Sequence, residues 1–219
     1  MNLPKYLANP YIHEIIISDE NGNDVKKIQE TFHDSRIKCF VNSTRLGGFG
    51  NKRVAVSHAT HEWVCLMDSD NFAPVSYFEA WAHHFDPLDP SLVYCPSSTF
   101  RTSNHPGFNW KFLIGNRVNQ HNFKEFWRSH GHNNNINVGN YIFHRDLFMK
   151  AEDVYNLKDE CKCLDVQYQN YLLIQNGATL LTVDGMEYFH IVHDGSYYIT
   201  ECKSTNIGLF ENMWLNGYP

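Results

Sequence analysis

Residues 62–71, with the sequence Glu-Trp-Val-Cys-Leu-Met-Asp-Ser-Asp-Asn, decide the fold of this chain. The run 63–67 is continuously apolar, which is typical of a strand that is buried on both faces of a sheet. Asp68 and Asp70 follow directly, at the edge of an open α/β sheet where ligands bind. Carboxylates there suit Mg²⁺ or Mn²⁺, ions that also bind phosphate oxygens. The alternative is a solvated turn, because an Asp-x-Asp triplet alone is common.

The bulk composition is that of a globular protein without a surface for nucleic acid. The chain has 219 residues, of which 42% are hydrophobic, and a formal net charge of −6. This length is enough for one domain with a substantial core. The negative balance argues against a nucleic-acid partner, since proteins that bind nucleic acid normally carry a basic face.

Features that mark export, membrane insertion or a zinc site are missing from the sequence. No run approaches the roughly 18 apolar residues of a transmembrane segment, and residues 1–6 lack the apolar core of a signal peptide. Among the six cysteines only Cys161 and Cys163 lie close together, without the second pair of a zinc knuckle. We therefore expect a cytoplasmic protein with reduced thiols and no transmembrane segment.

Strands and helices alternate along the sequence, which predicts a largely parallel sheet flanked by helices. Segment 99–135 interrupts this alternation and is rich in Asn, His and aromatic residues. No repeat or linker marks a domain boundary. The predicted strands are 12–18, 37–41, 63–67, 92–94, 138–143 and 179–183, and the predicted helices are 24–32, 51–59, 74–85, 145–151 and 164–175.

The motifs around the Asp-x-Asp triplet form an ordered series. Residues 14–22 are an apolar strand followed by an acidic turn, and residues 42–71 contain an Asn, a Gly-rich turn, a second Asn and the Asp-x-Asp strand. This series resembles the nucleotide-sugar glycosyltransferases of the GT-A fold, especially glycosyltransferase family 2. The resemblance covers most of residues 11–75 and continues more weakly to about residue 198.

The resemblance implies an α/β fold of the GT-A type, with a Rossmann-like, mostly parallel sheet flanked by helices in a single domain, residues 1–219. The nucleotide and metal half would be about 1–98 and the acceptor half about 99–219. The family normally opens with a strand and a helix before the segment equivalent to 14–19, whereas only residues 2–10 precede it here. We expect that the chain is trimmed, or that this first strand is lost or replaced.

The implied function is metal-dependent glycosyl transfer. The donor would be a nucleoside-diphosphate sugar, with UDP as the expected nucleotide, the cofactor Mn²⁺ or Mg²⁺, and the acceptor a hydroxyl group of a glycan or glycoprotein. Two alternatives stay open. A nucleotidyltransferase shares the sheet and the metal, although its usual Gly-rich, basic signature is missing from the start of this sequence. A related domain can also bind a sugar nucleotide or a glycan without turnover.

For the metal site, the resemblance implies Asp70 as the direct ligand. Asp68 would hold the donor ribose or reach the metal through water, or it would only cap the turn. A late histidine completes the metal site of many GT-A enzymes, and His193, before a Gly-Ser turn, fits that place best. His190 is the reserve candidate because residues two apart in an extended chain point to the same side.

For the donor, Asp19 is expected to accept a hydrogen bond from the base or ribose, or simply to end a strand in a turn. The glycines at 47, 48 and 50 let the backbone approach a ligand, and Asn51 is expected to open a helix whose first amides favour phosphate. Arg45, Lys52 and Arg53 would add positive charge.

For the acceptor, Asp165 lies where the family has a Glu-Asp or Asp-Asp motif, at a helix start. The resemblance implies that it deprotonates the acceptor hydroxyl in inverting transfer, whereas a retaining enzyme needs no such base. The alternative is that Asp165 only caps its helix, because Leu164 replaces the usual acidic partner.

Asn137 and Gly139 are expected to line the donor sugar, because residues 133–140 resemble the family segment that approaches it. Trp110 and Trp127 are candidate platforms on which an acceptor sugar can stack. Both also fit a place in the core, and Trp127 does so at least as well because it belongs to the helical run 123–127.

Overall fold

The computed structural model describes residues 2–84, 87–102, 106–131, 138–154, 164–193 and 207–216. Helices and strands alternate, and the α/β class is confirmed. The elements are α1 (Leu3–Leu7), β1 (Ile15–Asp19), α2 (Asn23–Thr31), β2 (Ile37–Val41), α3 (Gly47–Ser57), β3 (Trp63–Cys65), α4 (Val75–His84), β4 (Leu92–Phe100), a 3₁₀ turn (Lys111–Leu113), β5 (Arg117–Val118), α5 (Phe123–His130), β6 (Ile142–His144), α6 (Arg145–Lys150), α7 (Asp165–Gln175), β7 (Thr179–Phe189) and α8 (Ile207–Asn216).

The strands of the described residues form two sheets. β1 and β2 pair in parallel as a two-stranded sheet, and the other five have the order β3-β6-β4-β7-β5. In this larger sheet β4 and β7 are parallel, while β6 runs antiparallel to β3 and β4, and β5 antiparallel to β7. The larger sheet is therefore mixed, and its two long strands, β4 and β7, form the parallel pair.

Strands β4 and β7 both continue past the residues where the sequence predicted their ends. The predicted strands ended at residues 94 and 183, before Pro96 and Gly185, two residue types that usually interrupt strands. The structure has a register shift between Pro96 and Ser98, and Gly185 has a φ of 77° at the same level. A bulge of this kind accommodates both residues, so the pairing resumes and runs to the end of each strand.

Helix α1 precedes β1 and packs beside the end of the Asp-x-Asp turn. The Tyr6 hydroxyl accepts a hydrogen bond from Ala73 N at 3.1 Å and donates to Asn71 O at 3.4 Å. The N-terminal segment is thereby attached to the chain just after the Asp-x-Asp triplet. None of the described helices has the length and apolar character needed to cross a bilayer.

Helix α3 begins at Gly47, four residues before the predicted start at Asn51, and this part of the prediction was wrong. The side chain of Asn51 instead connects the helix to the smaller sheet. Its amide nitrogen donates to Ser18 O at 3.1 Å, and its oxygen accepts from the Ser18 hydroxyl at 2.7 Å and from Asn42 Nδ2 at 2.8 Å. One side chain therefore joins β1, α3 and the end of β2.

We expect Asn51→Ala to lower the free energy of unfolding by about 2 kcal/mol, because it leaves partly buried donors and acceptors on Ser18 and Asn42 without their partner. Chemical denaturation measures this change. Asn212→Ala, at an exposed position of α8, is the matched control and should change stability by less than about 0.5 kcal/mol. Equal effects of the two substitutions would contradict the role assigned to Asn51.

Candidate active site

The Asp-x-Asp turn is held by backbone groups and by one buried amide. Leu66 N donates to Tyr141 O at 3.0 Å, which extends the pairing beyond β3. Asp68 N donates to the side-chain oxygen of Asn140 at 2.9 Å, and Asn71 N donates to Asp68 O at 3.0 Å. The chain therefore turns immediately after the strand, and this turn sends the carboxylates of Asp68 and Asp70 to different partners.

Asn71 connects this turn to the end of β7. Its side chain is 1% exposed, and its oxygen accepts a hydrogen bond from Ile191 N at 3.0 Å. Phe72 and Phe189 form an antiparallel bridge, with N–O distances of 3.0 and 2.8 Å. These contacts bring the chain that follows β7 beside the triplet, and His193 lies within this segment.

His193 and Asp70 meet as the sequence predicts, with 3.6 Å between His193 Nε2 and Asp70 Oδ2. Burial and the neighbouring charge of Asp68 raise the pKa of Asp70, and this rise is opposed by its own backbone amide and by His190 and His193. A carboxylate in such a place favours a bound cation. Within the described residues, however, no group of three His, Cys, Asp or Glu side chains forms a ready metal site.

Lys52 lies on the other side of the triplet, between two carboxylates. Its Nζ is 3.3 Å from Asp68 Oδ1 and 2.7 Å from Asp165 Oδ2, and only 20% of its side chain is exposed. Burial opposes the charge of Lys52, but the charges of Asp165 and Asp68 outweigh it and raise the pKa above the ordinary value for lysine. Lys52 is therefore an ammonium ion at neutral pH, and it joins α3, the triplet and α7.

Asp165 is the first residue of α7, and its carboxylate is directed toward α3. Within the described residues its carboxylate accepts a hydrogen bond from Lys52 and from no amide of its own helix, so it does not cap α7. Its place in the first turn still suits the helix dipole. Gly48 makes this approach possible, because a Cβ at position 48 would lie 2.8 Å from Asp165 Oδ2. The Gly-rich stretch thus allows close contact with a carboxylate of the same chain.

Comparison with family models identifies this chain. The model described as "Glycosyl transferase family 2" matches residues 5–151. The chain belongs to glycosyl transferase family 2. The match includes α3 and the Asp-x-Asp turn of this family 2 protein, and it ends before Asp165. A comparison with curated protein sequences gives no significant match.

Solved structures with the same fold include two proteins that were crystallised with UDP. TarS residues 1–349 of S. aureus, solved with UDP, is 17% identical with a TM-score of 0.58 over 90% of this chain and 57% of that chain. GalNAc-T7, solved with UDP, GalNAc and Mn²⁺, is 14% identical with a TM-score of 0.52 over 84% of this chain and 38% of that chain. The family 2 chain therefore spans little more than half of the first structure and less of the second.

On the predicted donor side of this family 2 protein, Asp19 caps α2. One carboxylate oxygen accepts from Asn21 N at 3.1 Å, and the other from Asp24 N at 3.0 Å and Val25 N at 3.1 Å. Burial would raise the pKa of Asp19, but these amide bonds lower it below the ordinary value. The contacts fit the turn alternative, and the role in donor binding stays a prediction.

The first amides of α3 already have an anionic partner. Glu20 Oε1 accepts from Leu46 N at 2.8 Å and from Gly47 N at 2.6 Å, so a carboxylate of the chain takes the place expected for phosphate.

The two arginines expected to add positive charge differ in exposure. Arg45 extends outward, with 67% of its side chain exposed and its Nε 3.6 Å from Glu20 Oε2. Arg53 donates to three carbonyl groups at the end of α6, which is a structural contact.

Around the predicted donor sugar, Asn137 lies outside the described residues and Gly139 packs against α7. A Cβ at Gly139 would be 2.6 Å from Val166 Cγ2, so the glycine is required by this packing. Asn140, which the sequence analysis did not single out, binds the triplet through Asp68 N, and its carbonyl accepts from the Tyr77 hydroxyl at 2.9 Å. Its place at the end of the resembled segment 133–140 was the available signal.

The two predicted tryptophan platforms are buried. Trp110 and Trp127 are 4% and 3% exposed, so the stacking prediction was wrong and the core alternative for Trp127 is correct. Trp127 stacks on Trp214 of α8 with 5.5 Å between the ring centroids. Phe108 stacks on Trp110 at 5.2 Å and is itself 40% exposed. The ring that stacks on Trp110 from the solvent side is therefore that of Phe108, and Phe112 is a second exposed ring in this region.

Because Gly48 and Asp165 lie so close together, the effect of Gly48→Ala on stability should change sign when Asp165 is removed. Gly48→Ala should destabilise the protein by about 1–2 kcal/mol, because the new methyl group pushes the Asp165 carboxylate away from Lys52. In an Asp165→Ala background the same substitution should stabilise by up to about 1 kcal/mol, since alanine is the better helix former. Denaturant unfolding of the four proteins measures both effects. Destabilisation of equal size in both backgrounds would disprove the contact.

Proposed function

We propose that this chain transfers a sugar from a nucleoside-diphosphate sugar, with UDP as the nucleotide, to a hydroxyl group of a glycan or glycoprotein. The observation that carries the proposal is the convergence of three carboxylates, Asp68, Asp70 and Asp165, with Lys52 and His193 at one edge of the sheet. Family membership supports it, and so do the neighbours of the same fold that were solved with UDP.

In this proposal Asp70 and His193 hold Mn²⁺ or Mg²⁺. A carboxylate oxygen and an imidazole nitrogen 3.6 Å apart are suitable donors for such an ion, and the raised pKa of Asp70 shows that its negative charge is poorly compensated. When bound, the ion neutralises the departing diphosphate. Asp68 would hold the donor ribose or reach the ion through water, and Arg45, Asn137 and Gly139 are kept as proposed donor contacts.

Asp165 is the proposed base in inverting transfer. The acceptor oxygen forms a bond to the anomeric carbon while the bond from that carbon to the diphosphate oxygen breaks. The proton of the acceptor hydroxyl passes to the Asp165 carboxylate, and the nucleoside diphosphate leaves with the electron pair. Lys52 orients the carboxylate through its 2.7 Å contact, and Gly48 leaves the space for it.

The same contact favours a second candidate, a domain that binds a sugar nucleotide without turnover. Lys52 and Asp165 form an ion pair that joins α3 to α7, and this structural role alone accounts for both residues. Sugar transfer to water or to an acceptor distinguishes the two functions, because the binding domain releases no nucleotide from the donor.

Asp70→Asn should abolish the metal-dependent part of nucleotide binding. With wild-type protein, UDP should raise the melting temperature far more with Mn²⁺ than with EDTA, because a ligand stabilises the state that binds it. In Asp70→Asn the two shifts should be equal.

Without metal at pH 7 the Asp70→Asn variant should be as stable as wild type or more stable, since it lacks a carboxylate whose pKa is raised in the folded protein. This advantage should disappear as the pH falls through that pKa, because Asp70 then takes up a proton.

Asp24→Asn is the control for that experiment, because Asp24 is an exposed aspartate at the start of α2. It should retain the full difference between Mn²⁺ and EDTA. A wild-type protein that UDP stabilises equally with Mn²⁺ and with EDTA would disprove the metal site at Asp70.

Asp165→Asn should abolish transfer and leave the UDP shift intact, because the proposed base acts on the acceptor and not on the diphosphate. Release of nucleotide from a labelled sugar donor measures transfer, and NMR of the product gives its anomeric configuration. Retained configuration, or an active Asp165→Asn protein, would exclude Asp165 as the base.

A further inference from the structure

A cavity that lies beside the candidate active site takes no part in the chemistry proposed above. It has a volume of about 350 Å³ and opens to the surface at the carboxyl ends of β4 and β7. Its lining combines polar, charged and aromatic side chains, among them Thr99, Arg101, Phe108, Asn109, Lys111 and Glu187. Concave sites with an aromatic surface and a few fixed polar groups are typical of small-molecule binding.

The loop that carries Phe108 is fixed against β4. Thr99 N donates to Phe108 O at 2.9 Å, and Phe108 N donates to the Thr99 hydroxyl at 2.7 Å. Gly107 permits this arrangement, since its φ is 85° and a Cβ there would lie 2.7 Å from Thr99 O. With the buried Trp110 behind it, the ring of Phe108 is a rigid, outward-facing platform.

The polar side of the cavity is equally fixed. Glu187 Oε1 accepts from Lys111 Nζ at 2.7 Å and from the Ser98 hydroxyl at 2.6 Å. Asn109 Oδ1 accepts from Lys111 N at 3.0 Å, which holds the start of the 3₁₀ turn. A carboxylate, an ammonium group and an amide therefore lie around one aromatic face, so the cavity offers donors and acceptors together.

The cavity adjoins the proposed reaction centre through His190. The rings of Phe108 and His190 are in edge contact, with 5.4 Å between their centroids. His190 follows Phe189, the partner of Phe72, and precedes Ile191, whose amide binds Asn71. One short segment at the end of β7 therefore touches both the cavity and the Asp-x-Asp turn.

We propose that this cavity is the subsite for a neutral sugar ring of the acceptor glycan, with the C–H face of the ring on Phe108 and its hydroxyl groups on Glu187, Lys111 and Asn109. A pyranose matches the site because it has an apolar face and an equatorial rim of donors and acceptors. The inference rests on the proposed glycosyl transfer for the identity of the ligand as an acceptor.

The test is the binding of labelled full-length protein to an array of neutral oligosaccharides. Phe108→Ala should raise the apparent Kd for every bound oligosaccharide at least tenfold. Phe108→Leu keeps the apolar volume but lacks the ring face, so it should have the same effect. Phe112→Ala is the matched control, because Phe112 is 53% exposed and is absent from the described residues that line the cavity. It should bind as wild type does. Melting temperatures show whether each variant is folded.

The UDP shift with Mn²⁺ is measured on the same proteins and should be unchanged in all of them. Absence of any glycan signal for the wild-type protein, survival of the signal in Phe108→Leu, or equal loss in Phe112→Ala would each overturn the subsite. Glycan binding that depends on Phe108, in a protein that UDP does not stabilise, would support the subsite and reject the proposed transfer.

Discussion

The ammonium group of Lys52 needs counter-charges because most of its side chain is withdrawn from water, and they come from two distant parts of the sequence. Asp68 belongs to the turn after β3, and Asp165 begins α7. Satisfying one buried cation therefore fixes α3, the Asp-x-Asp turn and α7 together. The turn also separates the two aspartates of the triplet, so that Asp68 faces Lys52 while Asp70 faces His193.

Asparagine side chains make the other connections at this edge of the sheet. Asn51 joins α3 to β1, Asn140 holds the backbone of Asp68, and Asn71 binds the segment after β7. A short amide carries a donor and an acceptor on one rigid group, so it can satisfy backbone groups of two elements at once. Loss of such a group leaves buried polar atoms unpaired, which costs about 1–3 kcal/mol each. The acidic residues at this edge are thus positioned by hydrogen bonds of uncharged asparagine side chains.

The sequence predicted those parts of the fold that depend on local pattern. The strand 37–41 matches β2 residue for residue, and Asp68, Asp70 and His193 were expected at one site, where the structure places them. Predictions failed where a residue serves a distant contact. Gly48 indicated a loop, yet its missing side chain makes room for Asp165. The strand predicted at 92–94 continues to Phe100, because a bulge after Pro96 lets the pairing resume.

The roles of Asn71 and Asn140 were missed for a related reason. Both residues are 1–4% exposed, and each acts through a partner far away in sequence. Trp110 and Trp127 show the opposite error, since a large aromatic residue in a polar segment suggested a surface for sugars although both are buried. Periodicity and motif order indicate which elements exist, whereas the partner of a buried polar or aromatic group depends on tertiary contacts.

Charge balance at the site supports the proposed need for a divalent cation independently of any family resemblance. Asp68, Asp70 and Asp165 with Lys52 leave a net charge of −2 when His193 is neutral. The anionic donor would add to this negative charge in a partly buried place, where Coulomb repulsion is weakly screened. Lys52 is already shared by two carboxylates, so it supplies little attraction to a diphosphate. Asp70, whose pKa is raised by burial and by Asp68, is the carboxylate that gains most from a cation. In the proposed reaction a cation held at Asp70 would offset the repulsion between these carboxylates and the donor.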